Sequence, residues 1–135
     1  MMANDVTRRI GSVGVTYVSA TISNPRVPGG AKTTLEFLVD TGAIYSVLPA
    51  SVLAALTVPR LKRQRFTLAD GTHQEWDVGE AFFELGTEVG TSQVVFGPEG
   101  ATPLLGAFTL ESLGLMVNPV TRELLPMRLV LAHVG

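Results

Sequence analysis

One stretch constrains the fold more than any other: Leu35 to Ala43, which reads Leu-Glu-Phe-Leu-Val-Asp-Thr-Gly-Ala. Leu35, Phe37, Leu38 and Val39 read as a strand buried on both faces, where a charged residue is rarely tolerated without a purpose. Gly42 lets the backbone turn at once, so the sequence predicts Asp40 at the strand's end with its carboxylate presented to a cleft. A buried carboxylate is costly, and chains accept one mostly at sites of chemistry. The bland alternative is an ordinary Asp/Gly turn after a strand. The rest of the chain has to decide between them.

At 135 residues the chain is one domain, large enough to bury a core without staples. We expect a flexible arm over residues 1–12 and the folded domain over 13–135. Cysteine is absent, which excludes disulfides, thiolate chemistry and Cys-based zinc sites. A formal charge of −2 carries no basic excess, which argues against nucleic acid or an anionic membrane as partner. Charged residues are 16% of the chain while 46% are apolar, against a usual charged share of about 25%. A small domain with so few charges either hides a large surface in a partner or risks aggregation, and we read it as a first sign of an obligate oligomer. The first ten residues lack a hydrophobic signal core, and the apolar tail Leu129 to Val134 is too short to span a bilayer. A cytoplasmic location is the expectation.

Val13 to Ile22 alternates β-formers up to Asn24-Pro25, and Thr33 to Val39 returns as the second strand of a hairpin that delivers Asp40. After Ile44 to Leu48, Pro49 suits the first turn of a short helix over Ala50 to Leu56. Arg60 to Arg65 reads as a solvated basic loop. Phe66 to Leu68 and His73 to Leu85 flank Asp70-Gly71, a strong hairpin signal. Trp76 is expected to pack this hairpin, His73 to be an exposed turn neighbour and His133 an edge-strand residue. Two histidines without ligand spacing predict no metal site. Val94 to Phe96 reads as a short buried strand. Leu104-Leu105-Gly106 then leads into a helix from Ala107, stopped by Gly114. Leu115 to Val117, a turn at Asn118-Pro119, and strands around Arg122 to Leu125 and Met127 to Val134 close the chain.

The order Leu38-Val39-Asp40-Thr41-Gly42-Ala43, then a Gly-tipped hairpin, then Leu104-Leu105-Gly106 before a short helix, resembles the retropepsin-like (retroviral-type) aspartic proteases, above all the single-domain bacterial ones. The likeness runs from about Val15 to Leu125. It implies an all-β, acid-protease half-barrel with one or two short helices, active as a homodimer. By the same resemblance Asp40 corresponds to the catalytic aspartate, and Thr41, Gly42 and Ala43 complete its loop. Thr41 matches the residue whose hydroxyl reaches across the dimer axis. Ala69, Asp70, Gly71 and Thr72 match the mobile flap, Gly106 the structural glycine under the loop, and Val47, Thr102 and Leu104 the pocket walls. Viral enzymes carry an acidic residue after Asp-Thr-Gly-Ala and an arginine after the later glycine. Here both positions are apolar, Ile44 and Ala107, so no orphaned charge remains.

The activity so implied is peptide hydrolysis by water held between two carboxylates that share one proton. The chain has one Asp-Thr-Gly after an apolar strand, so two-fold symmetry would supply the second carboxylate. Its partners would be a second copy of itself and a peptide or protein substrate, with no cofactor or metal. Two rivals stand beside the enzyme: a peptide-binding module that does not cut, and a dimerisation domain with Asp40 merely hydrogen-bonded.

Overall fold

The computed structural model describes residues 7–9 and 16–127. Its strands are β1 (Thr7–Arg9), β2 (Thr16–Ser23), β3 (Lys32–Val39), β4 (Ser46–Pro49), β5 (Lys62–Thr67), β6 (His73–Leu85), β7 (Glu88–Gly97), β8 (Leu104–Leu105), β9 (Leu115–Val117) and β10 (Leu124–Pro126). Two short helices interrupt them, α1 (Ala50–Ala55) and α2 (Ala107–Leu113). The all-β expectation with one or two short helices therefore holds.

The sheet closes on itself. β2 pairs antiparallel with β3 through Val18↔Phe37 and Ile22↔Thr33. β3 runs parallel to β8, β8 meets β4 antiparallel, and β4 runs parallel to β7. β7 returns against the second half of β6, and Thr21 to Ser23 of β2 pair with Phe82 to Glu84 of β6 to complete the circuit. Closure leaves β2 no free edge. The first half of β6 extends beyond the barrel and pairs only with β5, forming a projecting hairpin.

Side-chain alternation explains the interior. Val18, Ala20 and Ile22 on β2, Phe37 on β3, Phe83 on β6 and Val94 on β7 all point inward and are buried. Phe37 and Phe83 meet at 6.1 Å between ring centres, tilted by 56°. Each such side chain stabilises the fold by about 1.5–3 kcal/mol on burial. α1, at six residues, is too short to persist alone. Leu53 anchors it in the core, and its ends are held from elsewhere. The Glu99 carboxylate accepts from the Ser51 hydroxyl at 2.5 Å and the Ser51 N–H at 2.9 Å. These bonds, the hydroxyl's first, hold the Glu99 carboxyl below its ordinary range. At the other end the Asn24 amide donates to the carbonyls of Leu56 and Thr57.

Three expectations need correction. β3 is not buried on both faces within the chain: Thr34 and Glu36 are exposed, Phe37 is fully buried, and Leu38 and Val39 are half-buried. Arg60 to Arg65 is not a loop, since Lys62 to Thr67 form β5, in register with β6 from Lys62↔Val78 to Thr67↔His73. The basic run is compatible with a strand because β6 supplies partners, with Arg60 2.6 Å from Asp77 and Arg63 3.2 Å from Asp77 and 3.3 Å from Glu75. The strand around Val94 is also longer than expected, since pairing with β6 carries it from Glu88 to Gly97. The expected arm boundary at 12/13, the strand residues beyond Met127 and His133 lie outside the described residues.

Candidate active site

Asp40 follows the last residue of β3, where β3, β8 and β4 are held side by side. Its main chain is fixed at both groups: its N–H donates to Leu105 O at 3.0 Å, and its carbonyl accepts from Ala43 N–H at 3.2 Å. Its side chain turns back on the loop, Oδ1 accepting from Gly42 N–H at 3.0 Å. Oδ2 has no partner among the described residues, and the residue is half-buried while Thr41 and Gly42 are exposed.

The loop after Asp40 rests on the β8–α2 junction. Ala107 N–H donates to Ala43 O at 2.8 Å and Phe108 N–H to Ile44 O at 3.1 Å. These are N–H groups of the first turn of α2, which have no partner inside their own helix. Gly106 lies between the two segments. A Cβ placed there would fall 2.6 Å from both C and O of Tyr45.

The stretch Gly42 to Tyr45 lines one side of a cleft of about 740 Å³. The opposite side is the projecting β5–β6 hairpin, through Gln64, Phe66, Gln74 and Trp76. Tyr45 joins the two sides, its ring edge-on to Phe66 at 5.6 Å. At the tip, Leu68 N–H donates to Thr72 O at 2.7 Å and Gly71 N–H to Leu68 O at 2.9 Å. Ala69, Asp70 and Gly71 thus form a three-residue hairpin loop with Gly71 at φ +86°. The Asp70 carboxylate accepts from the Thr72 hydroxyl at 2.6 Å and its N–H at 2.9 Å. These bonds, the hydroxyl's first, hold the Asp70 carboxyl below its ordinary range.

The gag-polyprotein putative aspartyl protease family matches residues 29–112, well over half the chain, and spans the Asp40 loop, the hairpin and the β8–α2 junction. The chain belongs to this family. A comparison with curated proteins finds no match. Membership in this retropepsin-like aspartyl protease family supports a protease-type function. Among the described residues no helix is long and apolar enough to cross a membrane, and no cluster of three His, Cys, Asp or Glu side chains is placed to hold a metal.

The structure gathers some of the residues singled out for an aspartyl protease site and separates others. Gly42, Ala43 and Val47 line the cleft. Asp40 and Thr41 immediately precede that stretch and are not among the lining residues, although Asp40 Oδ1 accepts from the lining residue Gly42. Thr102 is exposed and Leu104 is paired with Leu38 and Val47, and neither lines the cleft. The tip residues Ala69 to Thr72 are likewise outside its lining, which reaches only Leu68. Trp76, expected to pack the hairpin, is half-buried on the cleft wall.

Sequence reasoning missed a buried chain of hydroxyls behind the loop. Gly106 N–H donates to Ser46 Oγ at 2.9 Å, Ser46 Oγ lies 2.5 Å from Thr109 Oγ1, and Thr109 donates to Ser92 Oγ at 3.0 Å. Each hydroxyl has one proton. Thr109 uses its own on Ser92, so Ser46 must donate to Thr109 while accepting from Gly106. Ser46 and Thr109 are 0% exposed, so breaking this relay strands a polar group, at a cost of about 1–3 kcal/mol. The signal was present: a small hydroxyl residue interrupts each of the apolar runs Tyr45-Ser46-Val47-Leu48 and Phe108-Thr109-Leu110.

Proposed function

We propose that the protein is a homodimeric aspartic endopeptidase in which Asp40 from each of two subunits forms the catalytic pair. One observation carries this reading. Asp40 is held rigidly by three hydrogen bonds immediately before the stretch that lines a peptide-sized cleft, with one carboxylate oxygen left free among the described residues. Family membership supports the same chemistry. One ionised Asp40 takes a proton from a water molecule, and the resulting hydroxide attacks the scissile carbonyl. The other Asp40, protonated, donates to the carbonyl oxygen and so stabilises the tetrahedral intermediate. Two carboxylates at contact distance do not both carry charge, so the pair shares one proton. Thr41, exposed beside Asp40, is the residue assigned to the subunit boundary.

The deciding experiment is subunit mixing. Equal amounts of wild type and Asp40→Asn are unfolded together and refolded so that subunits pair at random. Wild-type pairs then make up roughly a quarter of dimers. Peptide cleavage is expected to fall to about half of what the same wild-type amount gives alone. Undiminished cleavage, with heterodimers confirmed by native mass spectrometry, would refute the shared site.

In this reading the β5–β6 hairpin is the flap that closes over an extended peptide. Gly71→Val places a β-branched side chain at φ +86°, a conformation such residues avoid, although nothing lies within 4 Å of a Cβ there. The expected result is a several-fold loss of turnover with a melting temperature within a few degrees of wild type, because the tip is outside the core. Unchanged kinetics would show that the tip does not cover the site.

A further inference from the structure

Three of the large apolar side chains left exposed gather in one place. Ile44, Leu68 and Phe108 are 59%, 38% and 47% exposed, and all three line the cleft. Phe108 is the second residue of α2, a position where a solvent-facing helix ordinarily carries a polar group. Its amide is fixed to Ile44 O, and its ring stands edge-on to Tyr45 at 5.6 Å and 78°. Tyr45 stands in turn edge-on to Phe66 at 5.6 Å and 88°. Three rings thus run in a row from helix to loop to hairpin.

The loop-and-helix side of the cleft, Gly42 to Tyr45, Val47 and Phe108, carries no charged side chain. On the hairpin, Gln64↔Trp76 and Phe66↔Gln74 are opposed pairs on the cleft side, as the Tyr45 contact of Phe66 requires. Arg63↔Asp77 alternates with them on the far face, where Arg63 reaches Asp77 and Glu75, whereas Arg65, paired with Glu75, is among the residues that line the cleft on the hairpin side. A charged side chain set against Phe108 would lose hydration among apolar neighbours, the cleft's charged lining residue, Arg65, belonging to the hairpin side.

The geometry points to Phe108, backed by Ile44 and Tyr45, as the specificity-determining wall of a subsite that takes one bulky apolar side chain, aromatic by preference, from the bound peptide. The inference rests on the reading of the cleft as a peptide site. Edge-on packing against Phe108 favours a ring over an aliphatic chain of similar area, and the apolar surroundings of Ile44, Tyr45 and Phe108 disfavour Glu or Lys at that position.

Binding and cleavage separate this proposal from the catalytic one. Fluorescent peptides carrying Phe, Ala or Glu at each position in turn are titrated into Asp40→Asn protein and into its Phe108→Ala and Phe108→Arg versions. Cleavage of the same peptides is followed with Asp40 intact. At one peptide position, Phe is expected to be preferred over Ala by about tenfold or more. Phe108→Ala should reduce that preference to within about threefold at that position alone, and Phe108→Arg should raise the standing of Glu there. A preference indifferent to Phe108, one lost evenly at all positions, or no binding preference at all overturns the proposal. So does a Phe108→Ala protein that falls to a smaller species by native mass spectrometry, which would mean that a second subunit covers the ring. If binding follows Phe108 but nothing is cut, the endopeptidase reading fails and the subsite stands.

Discussion

Asp40→Asn is expected to give a folded protein that no longer cuts peptides. Asparagine keeps the size of the side chain, and its Oδ1 can still accept from Gly42 N–H as the carboxylate does at 3.0 Å. The main-chain bonds to Leu105 and Ala43 do not involve the side chain and should persist. The amide cannot take a proton from water, and loss of a general base ordinarily lowers the rate by about 10²–10⁴-fold. Here both members of the pair change at once in the homodimer, so the upper end of that range is expected. The measurements are the rate of cleavage of an unstructured peptide mixture across about pH 3–7, a window set by carboxylate reference values, and a thermal melt. Full activity would remove Asp40 from the chemistry. A melting temperature lowered by more than about 10 °C would mean that the ionised carboxylate is also a structural element.

How much of this could be read in advance depended on whether the cause was local. The β2–β3 hairpin, the turn at Gly71 and the C-terminal stop of α2 at Gly114, φ +72°, follow from neighbouring residues, and the sequence predicts them correctly. β5 was misread because Lys62, Arg63 and Arg65 look like a solvated loop until Glu75 and Asp77 are brought opposite them. That pairing depends on register, which no short window contains. The same limit explains the burial of β3. A run of Phe37, Leu38 and Val39 implies two covered faces, but within one chain only the Phe37 side is fully covered.

The site was legible in its loop and less so in its walls. Asp40 to Ala43 are contiguous, so the turn and the carboxylate could be placed together. The walls come from Tyr45, Phe66, Trp76 and Phe108, which only the closed sheet and its projecting hairpin bring to one cleft. Thr102 and Leu104 were assigned by likeness of position. Leu104 lies in the two-residue β8, its backbone paired with Leu38 and Val47, and of these three only Val47 lines the cleft.

Gly106→Ala should be the most damaging single methyl that the chain can receive near the site. Gly71 and Gly106 are glycines for opposite reasons. Gly71 has a positive φ and open space around it, whereas Gly106 sits at φ −93° and ψ 179°, which alanine adopts without strain. The obstacle at Gly106 is purely steric, and it is backbone: Tyr45 C and O at 2.6 Å and Ile44 O at 2.9 Å from the added carbon. No rotamer change can relieve it. Either the Asp40 loop lifts away from the β8–α2 junction or α2 moves off the barrel. Lifting the loop stretches the bonds Ala107 N–H to Ala43 O, Phe108 N–H to Ile44 O and Gly106 N–H to Ser46 Oγ. Overpacking costs about 1–3 kcal/mol and each weakened hydrogen bond about 1 kcal/mol. The total, about 4–6 kcal/mol, is a large part of the stability of an ordinary domain. A fall in melting temperature of roughly 10 °C or more is expected, with peptide cleavage lost even below the melt because Asp40 no longer stands where β3 and β8 place it. Thr109→Val, which removes only the hydroxyl at the next link of the relay, should destabilise less and leave the loop seated. Unchanged melting and cleavage in Gly106→Ala would show that the loop does not rest on this residue.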